Sequence, residues 1–453
     1  MSNATKAIPA TSAPVHIIGA GLAGSEAAYF LAERGVSVFL HEMRPQVMTP
    51  AHTTPWFAEL VCSNSFKSQN PCSATGMLKT ELNRMNSIVL RSACQNAIPG
   101  GEALVVDRTL FSETITHILK SHSSITVISG EVKEPVTNAI NLIATGPLTS
   151  EPLCQWLMQK THLENLYFYD AISPIIDAKT IDTAKVFLAN RYQKGDEKAY
   201  LNCPLNKKEY YDFVNALLTA EKVPAERFEE AKFFQGCQPI EVIAASGKDS
   251  LRFSAMKPVG LIDPVTNSVP FAVIQLRPEN ISNTAYSLVS FQTKLKYREQ
   301  ERIFRMIPAL QNAEFLRLGS IHRNTYVCGP NVLAPNLSIK GHPDVFLAGQ
   351  LTGVEGYLES AACGLLAGIF IYQKLHSLPH FAPPANTVLG ALLRHVTGSD
   401  EKTYMPTNIH FGLLESFLFE NLTKLKKNEL RMQISQQAIA YFDKWREDFL
   451  KFC

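Results

Sequence analysis

The sequence predicts an α/β protein, a Rossmann-type doubly wound sheet interrupted by an α+β insertion domain. Three observations carry that prediction. The apolar run VHII (15–18) enters a glycine-rich, then helix-periodic stretch, GAGLAGSEAAYFLAERG (19–35), and a second strand-like run, VSVFLHEMRP (36–45), follows. Two later segments return to the same grammar: NLIATGPLTS (141–150) is an apolar run closing on Ala-Thr-Gly, and VFLAGQLTGVEGYLESAACGLLAGIF (345–370) reads as strand, glycine turn and small-residue helix. Between them, from about residue 165 to 330, the rhythm breaks into runs with alternating or β-rich composition.

The first unit is a βαβ element. VHII suits a buried parallel strand, and the following helix ends at Gly35, where a helix C-cap is expected. Gly19, Gly21 and Gly24 stand in GxGxxG spacing, with Ala20, Leu22 and Ala23 between them. Such glycines let the backbone turn tightly and approach a pyrophosphate, whose charge then lies at a helix N-terminus. Glu42, about twenty residues on, is placed to take ribose hydroxyls. Strand, helix, second strand and terminal acid together predict a dinucleotide site. The later segments indicate which dinucleotide. FAD-binding Rossmann proteins close with a strand, turn and helix such as 345–370, so Gly146, Gly349, Gln350 and Gly353 join the candidate cofactor contacts. Gln350 stands where the general flavoprotein pattern has an acid.

The organisation expected is a disordered tail (1–13), the first part of the FAD-binding domain (14–164), an insertion domain on the substrate side (165–330), and the second part of the FAD-binding domain with C-terminal helices (331–453). The insertion holds strand-like runs (AKVFLANRY, FAVIQL, AYSLVSF), a helical stretch (KKEYYDFVNALLTAEK) and a basic segment (FQTKLKYREQERIFRMIP). A chain of 453 residues exceeds one ordinary core. No run of about 18 uncharged apolar residues occurs, so no membrane span is expected, and the N-terminus resembles neither a signal nor a transit peptide. Nine cysteines are scattered without a CxxC pair, which argues against a zinc site, a disulfide framework and a dithiol redox centre. No metal is expected, and a reducing cytoplasm is the expected location. A net charge of +2 means that any nucleic acid must be held by a local basic patch.

With these segments placed, the chain resembles the folate- and FAD-dependent tRNA uracil-C5 methyltransferases, the TrmFO family, from about Val15 to about Leu414. The motifs that carry the resemblance are GAGLAGSEAA, TPAHTTPWFAELVCSNSFKS, FFQGCQPIEVIA, LRFSAMKPVGLIDP, FQTKLKYREQERIFRMIP, HRNTY and AGQLTGVEGYLESAACG. Glutamine at 350 belongs to this family and its larger relatives. The resemblance implies methylation of uracil-54 in the tRNA T-loop. Carbon would come from 5,10-methylenetetrahydrofolate, and electrons from NAD(P)H through FAD. Departures at MPTNIHFGLL (405–414) and Cys363 touch no catalytic candidate and leave open a ribosomal RNA uridine as target.

Uracil C5 is a poor nucleophile, and addition of a thiolate at C6 turns the ring into an enolate that attacks through C5. Two cysteines stand in suitable contexts, Cys62 in ELVCSNS and Cys237 in QGCQPIE. The resemblance maps the C6 nucleophile onto Cys237, in a glycine–proline loop that would meet an extruded base. It maps Cys62 onto a cysteine at the isoalloxazine ring, with the SNS collar hydrogen-bonding flavin or folate. His322, with Arg323 beside it, is the candidate for completing a stack on the pteridine. Lys257, Arg252 and Arg277 are candidates for folate glutamate or RNA phosphate. Lys294, Lys296, Arg298, Arg302 and Arg305 form the best basic face, on a helix-like stretch. Cys203 receives no role. The competing readings are a wobble-uridine modifying relative, which needs a longer C-terminal helical domain, a flavin-dependent dithiol reductase, which needs a cysteine pair, and an RNA-binding flavoprotein acting as a tRNA chaperone.

Overall fold

A computed structural model describes residues 13–161, 166–193, 198–223, 238–414, 419 and 426–452, apart from the side chains of 166–170, 193, 322, 323 and 427. The expected βαβ unit is present as β1 (Val15–Ile18), α1 (Leu22–Ala32) and β2 (Val38–Glu42). β1 pairs in parallel with β2 on one side and with Asn141–Ile143 on the other. The sheet extends through His342–Leu347 beside Asn141–Ile143 and Ile125–Ser129 beside β2, all parallel. Ser338–Ile339 closes one edge antiparallel. Strands from both ends of the chain therefore interleave, so 345–347 lies two places from β1 despite more than 300 intervening residues.

Small residues set the spacing on one face of this sheet. Helix α1 lies against Tyr357–Leu375. A Cβ added at Gly364 would stand 2.1 Å from the Ala23 carbonyl oxygen, so the two backbones pass closer than any side chain allows. Between β2 and Ile125–Ser129 the chain makes an excursion absent from the sequence reading. Ser65–Ser68, Ala103–Val106 and Ala97–Ile98 form a small antiparallel sheet, beside the helices Ala74–Arg84 and Ile88–Gln95.

A second sheet of six antiparallel strands arises between residues 175 and 317, in the spatial order 187–188, 201–205, 272–278, 285–288, 175–177 and 315–317. Its core side is apolar. Ile176, Cys203, Leu205, Ile274, Leu276 and Leu288 pack against Phe213, Ile240 and Phe304 from the helices Lys207–Thr219, Ile240–Ala245 and Tyr297–Phe304. A two-stranded ribbon, Leu166–Ala171 with Ile321–Tyr326, carries the chain into and out of this unit. AKVFLANRY is strand only at Phe187–Leu188, because 3-10 turns at Thr183–Lys185 and Arg191–Gln193 bracket it. The C-terminal amphipathic pattern forms the helix Lys427–Phe452, whose Phe442, Trp445 and Phe449 join the first core.

Candidate active site

The glycine turn after β1 has the constraints its sequence implied. Gly19 has φ of +98°, a conformation that side chains resist. A Cβ at Gly24 would lie 1.9 Å from the Gly19 carbonyl oxygen. Gly21 is the N-cap of α1, and no side chain caps the helix. Its first N–H groups are unspent on side chains and face the end of the sheet, where an anion is favoured. A groove there is lined by Gly19, Gly21, Glu42, Arg44, Thr145 and Thr149, among others. The cradle fits a pyrophosphate. Gly146, at φ of +68°, closes the Ala-Thr-Gly turn on the far side.

Glu42 is more engaged than the ribose role alone required. Its carboxylate accepts the Ala20 N–H at 3.1 Å, and the Arg44 backbone N–H and Nε at 3.0 and 2.9 Å. Burial works against its ionisation, but the Arg44 hydrogen bonds and charge leave its pKa below the ordinary value. Glu42 therefore ties the glycine turn to the segment leading towards Cys62. Arg44 continues the chain to Glu59 at 3.1 Å. The departure at position 350 also finds a partner, for Gln350 Nε2 donates to Glu355 at 2.6 Å. Gly349 and Gly353 shape the turn around Gln350, both at positive φ, and Tyr404 blocks any side chain at Gly353.

Cys62 lies in irregular chain, where apolar residues from Phe57 and Leu60 are buried and no helix forms. The hydroxyl of Tyr357, the first residue of the late helix, accepts the N–H of Cys62 at 3.0 Å and of Ser63 at 2.9 Å. It donates to the Ser63 carbonyl at 2.8 Å. Burial drives the Tyr357 pKa upward, with the Cys62 sulfur adding to it. The SNS collar holds protein groups. Asn64 Nδ2 donates to the carbonyls of Val106 and Pro278, both at 2.9 Å, and Ser63 Oγ accepts Arg277 at 3.1 Å. Arg108 donates to the Leu60 carbonyl and pairs with Glu279 at 2.6 Å. Cys62 thus sits at a seam where the excursion carrying the small sheet meets the second six-stranded sheet, with Arg277 hydrogen-bonded to Ser63 and Arg108 and Arg317 within electrostatic reach.

The remaining candidates are spread more widely. Cys237 lies outside the described residues. His322 and Arg323 are on the ribbon strand Ile321–Tyr326, and their side chains are outside the description as well. Lys257 is half-buried, and its carbonyl accepts Arg191. Arg252 lies over the Phe271 ring at 3.8 Å and donates to the Phe271 carbonyl at 2.9 Å. Cys203 is fully buried in the second core, where burial pushes its thiol up to about 12, so it is inert. The basic stretch is not one helix face. The helix begins at Tyr297, and Lys294 is held extended because its N–H donates to Glu241 at 2.6 Å. Lys296 pairs with Glu221 at 2.7 Å and Arg302 with Glu299 at 2.5 Å, while Arg298 is exposed. Tyr357, Arg108, Glu279 and Arg317 were missed by sequence reasoning. Period-two polarity in Gln275, Arg277 and Glu279 was the available signal for Glu279; nothing local marked the others.

Comparison with known proteins places this architecture. The family described as glucose inhibited division protein A matches residues 14–379. Methylenetetrahydrofolate–tRNA-(uracil-5-)-methyltransferase TrmFO of Moorella thermoacetica is 49% identical over 92% of this chain and 95% of its own length. TrmFO of Dictyoglomus thermophilum is 52% identical over 95% of this chain and 97% of its own. The chain belongs to the TrmFO family. Aquifex aeolicus GidA shares the fold, with a TM-score of 0.64 at 15% identity over 97% of this chain and 75% of that one. The TrmFO chains match this one nearly end to end, whereas GidA extends beyond it. The fold is thus the FAD-binding Rossmann type expected from the glycine turn. Among the described residues no group of three or more His, Cys, Asp or Glu could hold a metal ion, and no helix is long and apolar enough to cross a membrane.

Proposed function

We propose that this chain methylates C5 of a tRNA uracil, uracil-54 of the T-loop, with 5,10-methylenetetrahydrofolate as carbon donor and NAD(P)H as electron source through FAD. The observation that carries this reading is near-complete alignment with the TrmFO chains, together with an uncapped glycine turn suited to a dinucleotide and a cysteine at the seam described above. Gly19–Gly24, Glu42, Gly146 and Gly349–Gly353 would hold FAD, which would supply the reducing equivalents that convert a transferred methylene into a methyl group.

The chain's own residues account for the remaining steps. Cys237 adds as thiolate to uracil C6, and the resulting C5 carbanion attacks the methylene carbon, opening its bond to one folate nitrogen. Loss of the C5 proton expels tetrahydrofolate by breaking the remaining methylene–nitrogen bond, and a hydride equivalent from the reductant completes the methyl group as the thiolate leaves C6 and the ring is restored. The main chain at Cys62 is fixed by the Tyr357 hydroxyl, which orients the thiol without using it. The arginines around it favour negative charge in the seam. Mass mapping of tRNA and ribosomal RNA from a deletion strain tests the target. One 5-methyluridine lost from the tRNA T-loop is expected, and loss only from ribosomal RNA would move the target.

RNA would be gripped by the exposed side of the insertion. Lys296 and its partner Glu221 are both more than half exposed, so that pair contributes little and is free to exchange for phosphate. Replacing Lys294, Lys296 and Arg298 with alanine is expected to weaken tRNA binding. Each lost phosphate contact removes about 0.7–0.9 from the slope of log K against log salt, roughly two units for three residues. Flavin content stays normal. An unchanged slope would remove this face from the RNA site.

A further inference from the structure

The second sheet buries a polar face as well as an apolar one. Ala272, Ile274 and Leu276 enter the helix-covered core, so Gln275 and Arg277 point the other way. Arg277 reaches Ser63 beside Cys62, and Glu279, just past the strand end, pairs with Arg108. Directly opposed residues on antiparallel neighbours share a face. The register sets Asn202 against Gln275, Ser287 against Arg277, and Ile175 against Ser287. Asn202, Gln275, Glu279 and Ser287 are each at most 7% exposed, an arrangement that is unfavourable unless their hydrogen bonds are made.

At one end of the row they are made. Gln275 accepts Arg191 Nε at 2.8 Å and donates to Asn202 at 3.0 Å. At the end near Cys62 they are made only in part, by Arg277 to Ser63 and Arg108 to one oxygen of Glu279. Arg277 Nε, Ser287 Oγ and Glu279 Oε1 are buried and find no hydrogen-bond partner among the described residues. Arg317 lies within electrostatic reach of Arg108, Tyr357, Cys62 and Glu279, while Arg108 pairs with Glu279 at 2.6 Å and Arg277 reaches Ser63 Oγ at 3.1 Å. Orphaned donors, an orphaned carboxylate oxygen and the arginines therefore lie on one buried polar face.

We propose that this row binds the polar edge of a planar heterocycle, with a ring N–H on Glu279 and carbonyl oxygens able to carry negative charge on Arg277, Ser287 and Arg317. Acceptor and donors on one sheet face match an amide or imide edge better than a phosphate, which offers no N–H to the carboxylate. The flavin pyrimidine, the pterin and uracil all carry such an edge; that these three rings are the available ones rests on the methyl-transfer reading above.

The test uses full-length, FAD-loaded protein and the variants Arg277→Met, Arg317→Met and Ser287→Ala, the last removing a single hydroxyl and least able to disturb folding. Three readouts separate the sources: the flavin midpoint potential, the Kd for tetrahydrofolate, and the yield of covalent adduct with 5-fluorouridine RNA. Losing a charged hydrogen bond is expected to change one of them about tenfold in the arginine variants. For the flavin, tenfold weaker holding of the reduced over the oxidised form is a midpoint about 30 mV lower. A loss confined to folate assigns the edge to the pterin, and one confined to the adduct assigns it to the base. All three readouts within twofold of wild type in every variant, at normal FAD content, would overturn the proposal. Methyl transfer by the wild type is scored separately. An inactive wild type whose variants still lose a ligand would sink the methyl-transfer reading and leave this site standing.

Discussion

With labelled RNA carrying 5-fluorouridine at the target position, wild-type protein and Cys62→Ala are expected to form a covalent adduct on denaturing gels, and Cys237→Ala none. Fluorine cannot leave C5 as a cation, so the species formed by thiolate addition at C6 accumulates before elimination. Removing the attacking sulfur leaves nothing to add, and methylation should fall by roughly six orders of magnitude, as when other enzymes lose their nucleophile. Cys62→Ala should also lose methylation and perturb the flavin spectrum. It should keep the seam intact, because Tyr357 is clasped by the main-chain N–H groups of residues 62 and 63 rather than by the thiol. An adduct that survives in Cys237→Ala and disappears in Cys62→Ala would reverse the two roles.

The second large effect separates two glycines of one turn. A side chain at Gly24 would collide with the Gly19 carbonyl 1.9 Å away, so Gly24→Ala must move backbone. It is expected to lower both the thermal midpoint and FAD affinity, the latter by about 5- to 150-fold for 1–3 kcal/mol of overpacking. Gly21 is different. Its φ is −71°, and a Cβ there would meet nothing nearer than the Ala144 carbonyl oxygen at 3.9 Å. Gly21→Glu should therefore fold with a near-normal midpoint yet come out colourless, since its carboxylate would stand at the helix N-terminus that the pyrophosphate needs. Yellow Gly21→Glu protein would remove the pyrophosphate from this turn.

The first βαβ unit was legible because its signals are local: an apolar run, three glycines at fixed spacing and an acid, all within thirty residues. Sheet order was not. Nothing near Val345 says that it pairs with Asn141, because parallel strands are joined by long crossovers and no local turn marks the partner. The basic stretch misled for a similar reason. Lys294 and Lys296 look helical by composition, but a carboxylate from another element, Glu241, holds the chain extended there. At the candidate site the sequence marked Cys62 through its polar collar. It could not show that Tyr357, nearly 300 residues later, holds the main chain beside it. Arg277 was singled out as a cation, while Glu279, two positions on, was passed over. Alternation along 275, 277 and 279 normally means a solvated strand face, and only the fold shows this one buried.

The most direct test of the account supplies purified, FAD-loaded protein with unmodified tRNA, NAD(P)H and tetrahydrofolate carrying an isotope-labelled methylene, followed by nucleoside mass spectrometry. The account predicts labelled 5-methyluridine at position 54, absent when the folate is omitted and absent with Cys237→Ala. Unlabelled tRNA from active, yellow protein under these conditions, or label at another nucleoside, would contradict it.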